Sequence, residues 1–270
     1  MALINHPDIA GATLFIAPPG PHTHEPHAHD SYSVIVLTEG RKDFQHETHT
    51  HRVAAPQIAL ANPEELHGCG PVDGEDWSHS TWYLTQDLAA QIGGRETPRL
   101  ASPVVDDVEV ANALNTAHVA ARTSESALER ESLAWEALLL LFDRHAVNGV
   151  RSRREGLSDG VSVRMATYMV LASDRLSEGL RVEDFANAAG VSRAQVVRDF
   201  GRELGVSPSG YIRHKRAEHA KRLIAEGGSL AEAAYSSGFA DQAHMSRVIR
   251  KLYGVKPSQL QGVADGLSRL

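Results

Sequence analysis

The chain has 270 residues, 42% apolar, 23% charged and 6% aromatic, a globular composition that excludes collagen-like and low-complexity architectures. It has no run of about 18 apolar residues, which excludes a membrane-spanning helix, and its start, MALINHPDIAG, lacks the basic and apolar stretches of a secretory leader. The formal charge of −7 is unevenly divided: residues 161–270 carry 16 Lys and Arg against 11 Asp and Glu, whereas residues 1–160 carry 11 against 23 and twelve of the 15 histidines, so a polyanion would meet the C-terminal part.

The first ninety residues read as short strands. Ala12–Ala17 and Ser31–Thr38 are rich in β-branched residues and bounded by turn residues. Glu39-Gly40 makes a turn into Arg41–His46, followed by His51–Val53. Gln57–Ala61 ends at Asn62-Pro63, and Trp77–Leu84 follows. Closely spaced short strands predict an antiparallel barrel or sandwich. From Thr85 the period changes, and helices are expected over Asp106–Ala121 and Ser124–His145. The second has a broad apolar face suited to packing on the barrel or on another subunit. Val150–Gly160, polar and glycine-bearing, reads as a linker. The single cysteine, Cys69, cannot form an internal disulfide, which fits a reducing cytoplasm.

The last hundred residues contain a repeat. Arg198, Phe200, Gly205, Val206, Pro208 and Ser209 recur as Arg247, Ile249, Gly254, Val255, Pro257 and Ser258, 49 residues on, and Ala186 and Gly190 recur 48 residues on as Ala234 and Gly238. Each copy reads as a helix-turn-helix, over about 182–203 and 230–252, whose first helix ends at the glycine. Ser192-x-x-Gln195 and Ser229-x-x-Glu232 are N-terminal capping patterns, and Ser207-Pro208 starts a helix over Pro208–Glu226 that joins the copies. The second helix of such a motif enters the major groove. The DNA-binding candidates are therefore Ser192, Arg193, Ala194, Gln195 and Arg198 in the first copy, and Asp241, Gln242, His244, Arg247, Arg250 and Lys251 in the second. Arg193 and Gln195 suit guanine and adenine edges, whereas basic residues further along each helix suit phosphate.

The motifs Asp184-Phe-Ala…Gly-Val-Ser192…Arg198-Asp-Phe200…Ser-Pro208, Tyr211-Ile-Arg213…Leu-Ile224 and Ala234…Gly-Phe239…Gly-Val-Lys-Pro257 resemble the AraC/XylS family of transcription regulators over about residues 161–262. The sequence departs from the family pattern at Arg181, where a small N-cap is usual, and at Ala240, Met245, Ile249 and Lys256. Pro26-His-Ala-His-Asp-Ser-Tyr32 and Asn62-Pro-Glu-Glu-Leu-His67 resemble the family's cupin-type effector barrel.

The fold class so implied is α+β with two domains. Residues 1–150 would be a cupin-like β-barrel with appended helices, for effector sensing and dimerisation; 151–160 the linker; and 161–270 an all-α double helix-turn-helix domain. The resemblance also implies a cytoplasmic activator, a homodimer that binds promoter DNA and contacts RNA polymerase in response to a small-molecule or metal effector. His27, His29, Tyr32, His67 and Trp82 are the effector-binding candidates. His27, His29 and His67 could instead hold a divalent metal such as zinc; the glutamate that cupin enzymes add after their H-x-H is missing, those positions being Ser33 and Val34. The three also read as a polar pocket wall or, less readily, as a pH switch. His22, His24, His46, His49 and His51 read as loop and strand-edge residues, and Cys69 as a buried thiol or a fourth ligand. By strand alternation, only one of Trp82 and Tyr83 points inward. The alternative function is a metal-dependent cupin enzyme fused to a DNA-binding module, but no catalytic triad, phosphate loop or acid/base pair supports it, and no catalytic residue is assigned.

Overall fold

The structure is a computed structural model that describes residues 2–93, 98–147, 162–253 and 256–260. The proposed linker lies outside the described residues, as do Gly254 and Val255 of the repeat. The chain forms two compact units, one of Met1–Glu125 and Leu133–Gly156, the other of Ser126–Ser132 and Leu157–Leu270. No helix among the described residues is long and apolar enough to cross a membrane.

In the N-terminal unit the strands are β1 (Ala2–Asn5), β2 (Ala12–Gly20), β3 (His24–His27), β4 (Tyr32–Glu39), β5 (Arg41–His46), β6 (His49–Ala54), β7 (Ile58–Ala61), β8 (His67–Pro71) and β9 (Trp77–Leu84). They are followed by α1 (Gln86–Gly93), β10 (Arg99–Leu100), β11 (Val104–Val105), α2 (Val108–Thr123), α3 (Ala127–His145), of which the part from Leu133 on belongs to this unit, and β12 (Ala146–Val147). One sheet has the order β1-β2-β9-β4-β7-β11, a second β3-β8-β5-β6, and β10 pairs with β12 alone. Every pairing is antiparallel.

The expected cupin-type barrel is not what forms: both large sheets are open. β1 and β11 end the first and β3 and β6 the second, each hydrogen-bonded, among the described residues, to a strand on one side only. Bulges bend the ladders on both flanks of β9, between Ala17 and Gly20 and between Leu37 and Glu39. The chain passes from the first sheet to the second at Gly40, whose φ of 73° favours glycine. The sheets pack face to face: Leu37, Ala59 and Ala61 of one meet Phe44 and Val53 of the other in a single apolar cluster. The opposite face of the six-stranded sheet is covered by helices, with Tyr32 edge-on to Phe142 of α3 at 5.6 Å and Trp82 edge-on to His118 of α2 at 6.0 Å.

The helical unit contains α4 (Val163–Asp174), α5 (Val182–Ala189), α6 (Arg193–Leu204), α7 (Pro208–Ala225), α8 (Leu230–Ser236) and α9 (Gln242–Tyr253), then a 3-10 turn at Pro257–Leu260. The serine caps form as the sequence predicts: Ser192 Oγ accepts from the Gln195 amide at 3.2 Å, Ser207 Oγ from Gly210 at 3.1 Å and Ser229 Oγ from Glu232 at 3.2 Å. Gly190 and Gly238 take left-handed φ values of 65° and 77° in the two turns. Arg181 gives α5 no side-chain cap. Glu131, 1% exposed and in the segment that clusters with this unit, accepts the Val182 amide at 2.7 Å instead. Around the first copy, Tyr168 of α4, Phe185 and Phe200 form an aromatic core. Tyr211, near the start of α7, lies 5.5 Å from Phe200, and Ala217, Ala220 and Ile224 further along α7 join the core of the second copy with Phe239, Met245 and Ile249. One helix thus packs into both copies, and Met245 and Ile249 supply the buried volume at two of the positions that depart from the family pattern.

Candidate nucleic-acid interface and ligand cavity

Helices α6 and α9 carry the candidates for reading DNA. On α6, Ser192 is exposed at the N-cap, while Arg193, Gln195 and Arg198 are half-buried. Ala194 is 1% exposed and packs into the core, leaving it no face for a groove. Arg193 Nη2 pairs with Glu183 Oε1 of α5 at 2.8 Å, and Gln195 Nε2 donates to Asp199 Oδ1 at 2.8 Å. On α9, Asp241, Gln242, Arg247, Arg250 and Lys251 are exposed. Asp241 Oδ1 accepts the His244 amide at 2.6 Å, so this residue caps the helix it was expected to read from. His244 is half-buried, edge-on to Phe239 at 5.4 Å. Arg247, Arg250 and Lys251 stand three and four positions apart, which places three cations on one exposed face.

Beneath α6 sits a network that the sequence did not disclose. Asp199 is fully buried. Its carboxylate accepts from Arg164 Nε at 2.9 Å, Arg202 Nη2 at 3.0 Å and Tyr168 Oη at 3.2 Å, besides Gln195. Burial, and then the facing Asp199 charge, pushes the Tyr168 phenol up. Gln195 and Arg202 reach it from neighbouring turns of α6 itself, and Arg164 and Tyr168 from α4, so the α4 donors tie the rotation of α6 to the bundle.

In the N-terminal unit a cavity of about 50 Å³ lies between the two sheets. It is lined from the six-stranded sheet by Ser33 and Ile35 of β4 and His79, Thr81 and Tyr83 of β9, and from the other sheet by His24, His27, Lys42, Phe44, His67, Gly68 and Cys69. Tyr32 and Trp82 alternate with these residues and face the helices. The Tyr32 hydroxyl donates to Pro98 O at 2.6 Å. Tyr83, the other member of the Trp-Tyr pair, is the one that points inward. Lys42, His24 and His79 line the cavity although the sequence did not single them out for it. The alternation of Lys42 and Phe44 along β5 was the available signal, and a lysine at an inward position reads as solvated until burial is known.

His27, His29 and His67 gather at this cavity, with one ligand atom from each within 4.8 Å of the others. Each Nδ1 lies against a backbone carbonyl: His27 with Glu25 O at 2.8 Å, His29 with Ser31 O at 2.9 Å and His67 with Glu65 O at 2.8 Å. Those contacts favour protonated Nδ1 and leave Nε2 as the metal-facing candidate; His29 Nε2 also lies 3.2 Å from Ser33 Oγ. Burial, the largest effect, holds His67 down to about 4, in the neutral form a metal requires. Among the described residues, no carboxylate belongs to the cluster. Cys69 lies on the cavity wall outside it, its thiol pushed up by burial. Of the remaining histidines, His46 pairs with buried Glu65 at 2.9 Å, and His49 is exposed on β6.

Two family models match the chain. Residues 185–262 match a "Helix-turn-helix domain" and residues 12–138 an "AraC-like ligand binding domain". The HTH-type transcriptional regulator YbfI of Bacillus subtilis (strain 168) is 23% identical over 224 residues, 81% of this chain and 80% of that protein. The transcriptional activator RhrA of Rhizobium meliloti (strain 1021) is 33% identical over 105 residues, 37% of this chain and 33% of that protein. Among solved structures, a transcriptional regulator with an AraC-type DNA-binding domain from Chromobacterium violaceum is 26% identical, covering 38% of this chain and 93% of that chain, with a TM-score of 0.37.

Proposed function

The chain belongs to the AraC/XylS family of transcription regulators, and from that premise we propose how its two units divide the work. The protein is a ligand-responsive, DNA-binding transcription regulator and not an enzyme. In our reading, α6 and α9 enter neighbouring segments of the major groove, Arg193 and Gln195 read bases, and Arg247, Arg250 and Lys251 hold phosphates. The observation that carries this reading is that α7 packs into the cores of both helix-turn-helix copies. Activation of transcription, dimerisation and contact with RNA polymerase belong to the same proposal, supported by family membership; RhrA is named an activator.

The cavity between the open sheets is the proposed effector site. The His27, His29 and His67 rings fit a divalent metal such as zinc, because one ring nitrogen from each lies within 4.8 Å of the others and each Nδ1 is held by a backbone carbonyl. Bound there, a metal would supply a Lewis-acidic anchor for an electronegative effector group. An effector shifts DNA binding only by its difference in affinity for two conformations of the protein. Selection of binding sites from random duplexes by the full chain, followed by mobility shifts at several salt concentrations, tests the proposal. A recovered motif with two half-elements about one helical turn apart, bound with salt-dependent affinity, is expected; no enriched motif would overturn it.

A further inference from the structure

Strand β5 reads Arg41-Lys-Asp-Phe-Gln-His46, and its side chains alternate between solvent and the space between the sheets. Outward, Arg41 pairs with Glu75 at 2.6 Å and Asp43 with Arg52 at 3.2 Å. Inward stand Phe44 and Lys42, each fully buried. An apolar residue would satisfy the packing at position 42, and a buried ammonium is costly without a partner. Lys42 Nζ makes no hydrogen bond among the described residues. It lies over the Trp77 ring at 4.7 Å and the Phe44 ring at 5.3 Å, which offsets part of the lost hydration but fills none of its donor directions.

The surroundings select the sign of the missing partner. Among the described residues, no Asp or Glu lines the cavity. The ionisable groups facing Lys42 are His24 of β3, His79 of β9 and Cys69 of β8. His79 Nδ1 also has no hydrogen-bond partner among the described residues. Burial lowers Lys42 to about 8, which leaves it mainly protonated at neutral pH. The site therefore offers donors and positive charge and is walled by aromatic rings. At roughly 10–15 Å³ for each water-sized group, the cavity's 50 Å³ holds a few heavy atoms.

We propose that this cavity binds a small monocarboxylate of about four or five heavy atoms, its carboxylate accepting from Lys42 Nζ with His79 alongside. The proposal rests on the reading of the N-terminal unit as the sensor and names the chemical class it senses. The three-histidine cluster is a separate group of the same cavity, and Lys42 does not depend on a metal there.

The test uses the full chain, chelator-treated so that no metal contributes, in differential scanning fluorimetry. The probes are sodium acetate, propionate and glycolate, set against acetamide, propionamide and glycolamide, with sodium chloride as the ionic-strength control. We expect at least one carboxylate to raise Tm saturably while its amide does not, and Lys42→Met and Lys42→Gln to weaken that carboxylate's apparent Kd at least about tenfold. Equal stabilisation by the amides, no stabilisation beyond sodium chloride, or unchanged affinity in folded Lys42 variants would each overturn the proposal. The comparison of acid with amide in the unaltered chain stands even if both variants fail to fold. Mobility shifts with the selected duplex, run with and without the carboxylate, separate this proposal from the sensor reading. Binding through Lys42 that leaves DNA affinity unchanged supports the site and removes its sensing role.

Discussion

Gln195 Nε2 donates to Asp199 Oδ1 at 2.8 Å, one turn further along α6. A side chain suited to reading adenine is therefore held, in the free protein, by a buried carboxylate that also takes Arg164, Arg202 and Tyr168. Removing that carboxylate would leave several donors without their acceptor. Asp199→Ala is expected to cost about 3–5 kcal/mol, with Asp199→Asn costing less because it keeps an acceptor. Urea unfolding followed by far-UV circular dichroism checks this; a midpoint unmoved by Asp199→Ala would show that the network does not hold the bundle.

The ion pair between Arg193 and Glu183 makes a second expectation. Arg193→Ala should relax sequence preference at particular base pairs. Glu183→Gln should free Arg193 and raise DNA affinity a few-fold at low salt. Lys251→Ala should weaken binding to all sequences alike and lower the salt slope by about one. Identical selected motifs for wild type and Arg193→Ala would remove the base-reading role.

Zinc binding is expected at about one ion per chain. His27→Ala and His67→Ala should each lower metal affinity at least about tenfold, since each removes one of three converging donors. Metal analysis after dialysis against buffered zinc gives the answer, and equal metal content in wild type and both variants would place the metal elsewhere.

His118, under Trp82 in the N-terminal unit, gives a prediction about pH. Burial, the largest effect, holds it down to about 4 from 6.5. The unfolded chain takes up this proton near pH 6.5 and the folded chain does not, so the contribution to stability is complete above 6.5 and is lost as pH falls from there through about 4. The loss is about 3 kcal/mol, at ~1.4 kcal/mol per pKa unit. His118→Leu should flatten the stability profile across this window without abolishing the slope, because His79 and His67 are also lowered by burial. Chemical denaturation at several pH values from 4 to 7 would show the same slope in wild type and variant if His118 were not the cause.

The helical unit was legible because its signals are local. Ser192, Ser207 and Ser229 each need only the next three residues to declare a helix start, and the repeat placed the second copy from the first. Arg181 shows the limit: its missing cap is supplied by Glu131, 50 positions earlier in the chain. The sheets were less legible. Alternation established that Trp82 and Tyr83 face opposite ways, but not that Trp82's side is the one covered by α2 and Tyr83's the one facing the second sheet. Closure is likewise set by long-range pairing, which is why the strand pattern suited a barrel as well as the open sheets observed. Lys42 is not legible from the sequence because a charged residue in an alternating strand ordinarily points to water.

Sheets that stop short of closing leave strand edges able to recruit another chain, and composition guards the edges of the four-stranded sheet. β3 is His-Glu-Pro-His, whose Pro26 has no amide hydrogen to offer an incoming strand. At the other edge, β6 begins His-Thr-His-Arg, with His49, Thr50 and Arg52 exposed. Neither edge presents the flat apolar row that templates aggregation. His49 and His51 of β6, outside the metal cluster, would then act as polar gatekeepers against edge-to-edge pairing.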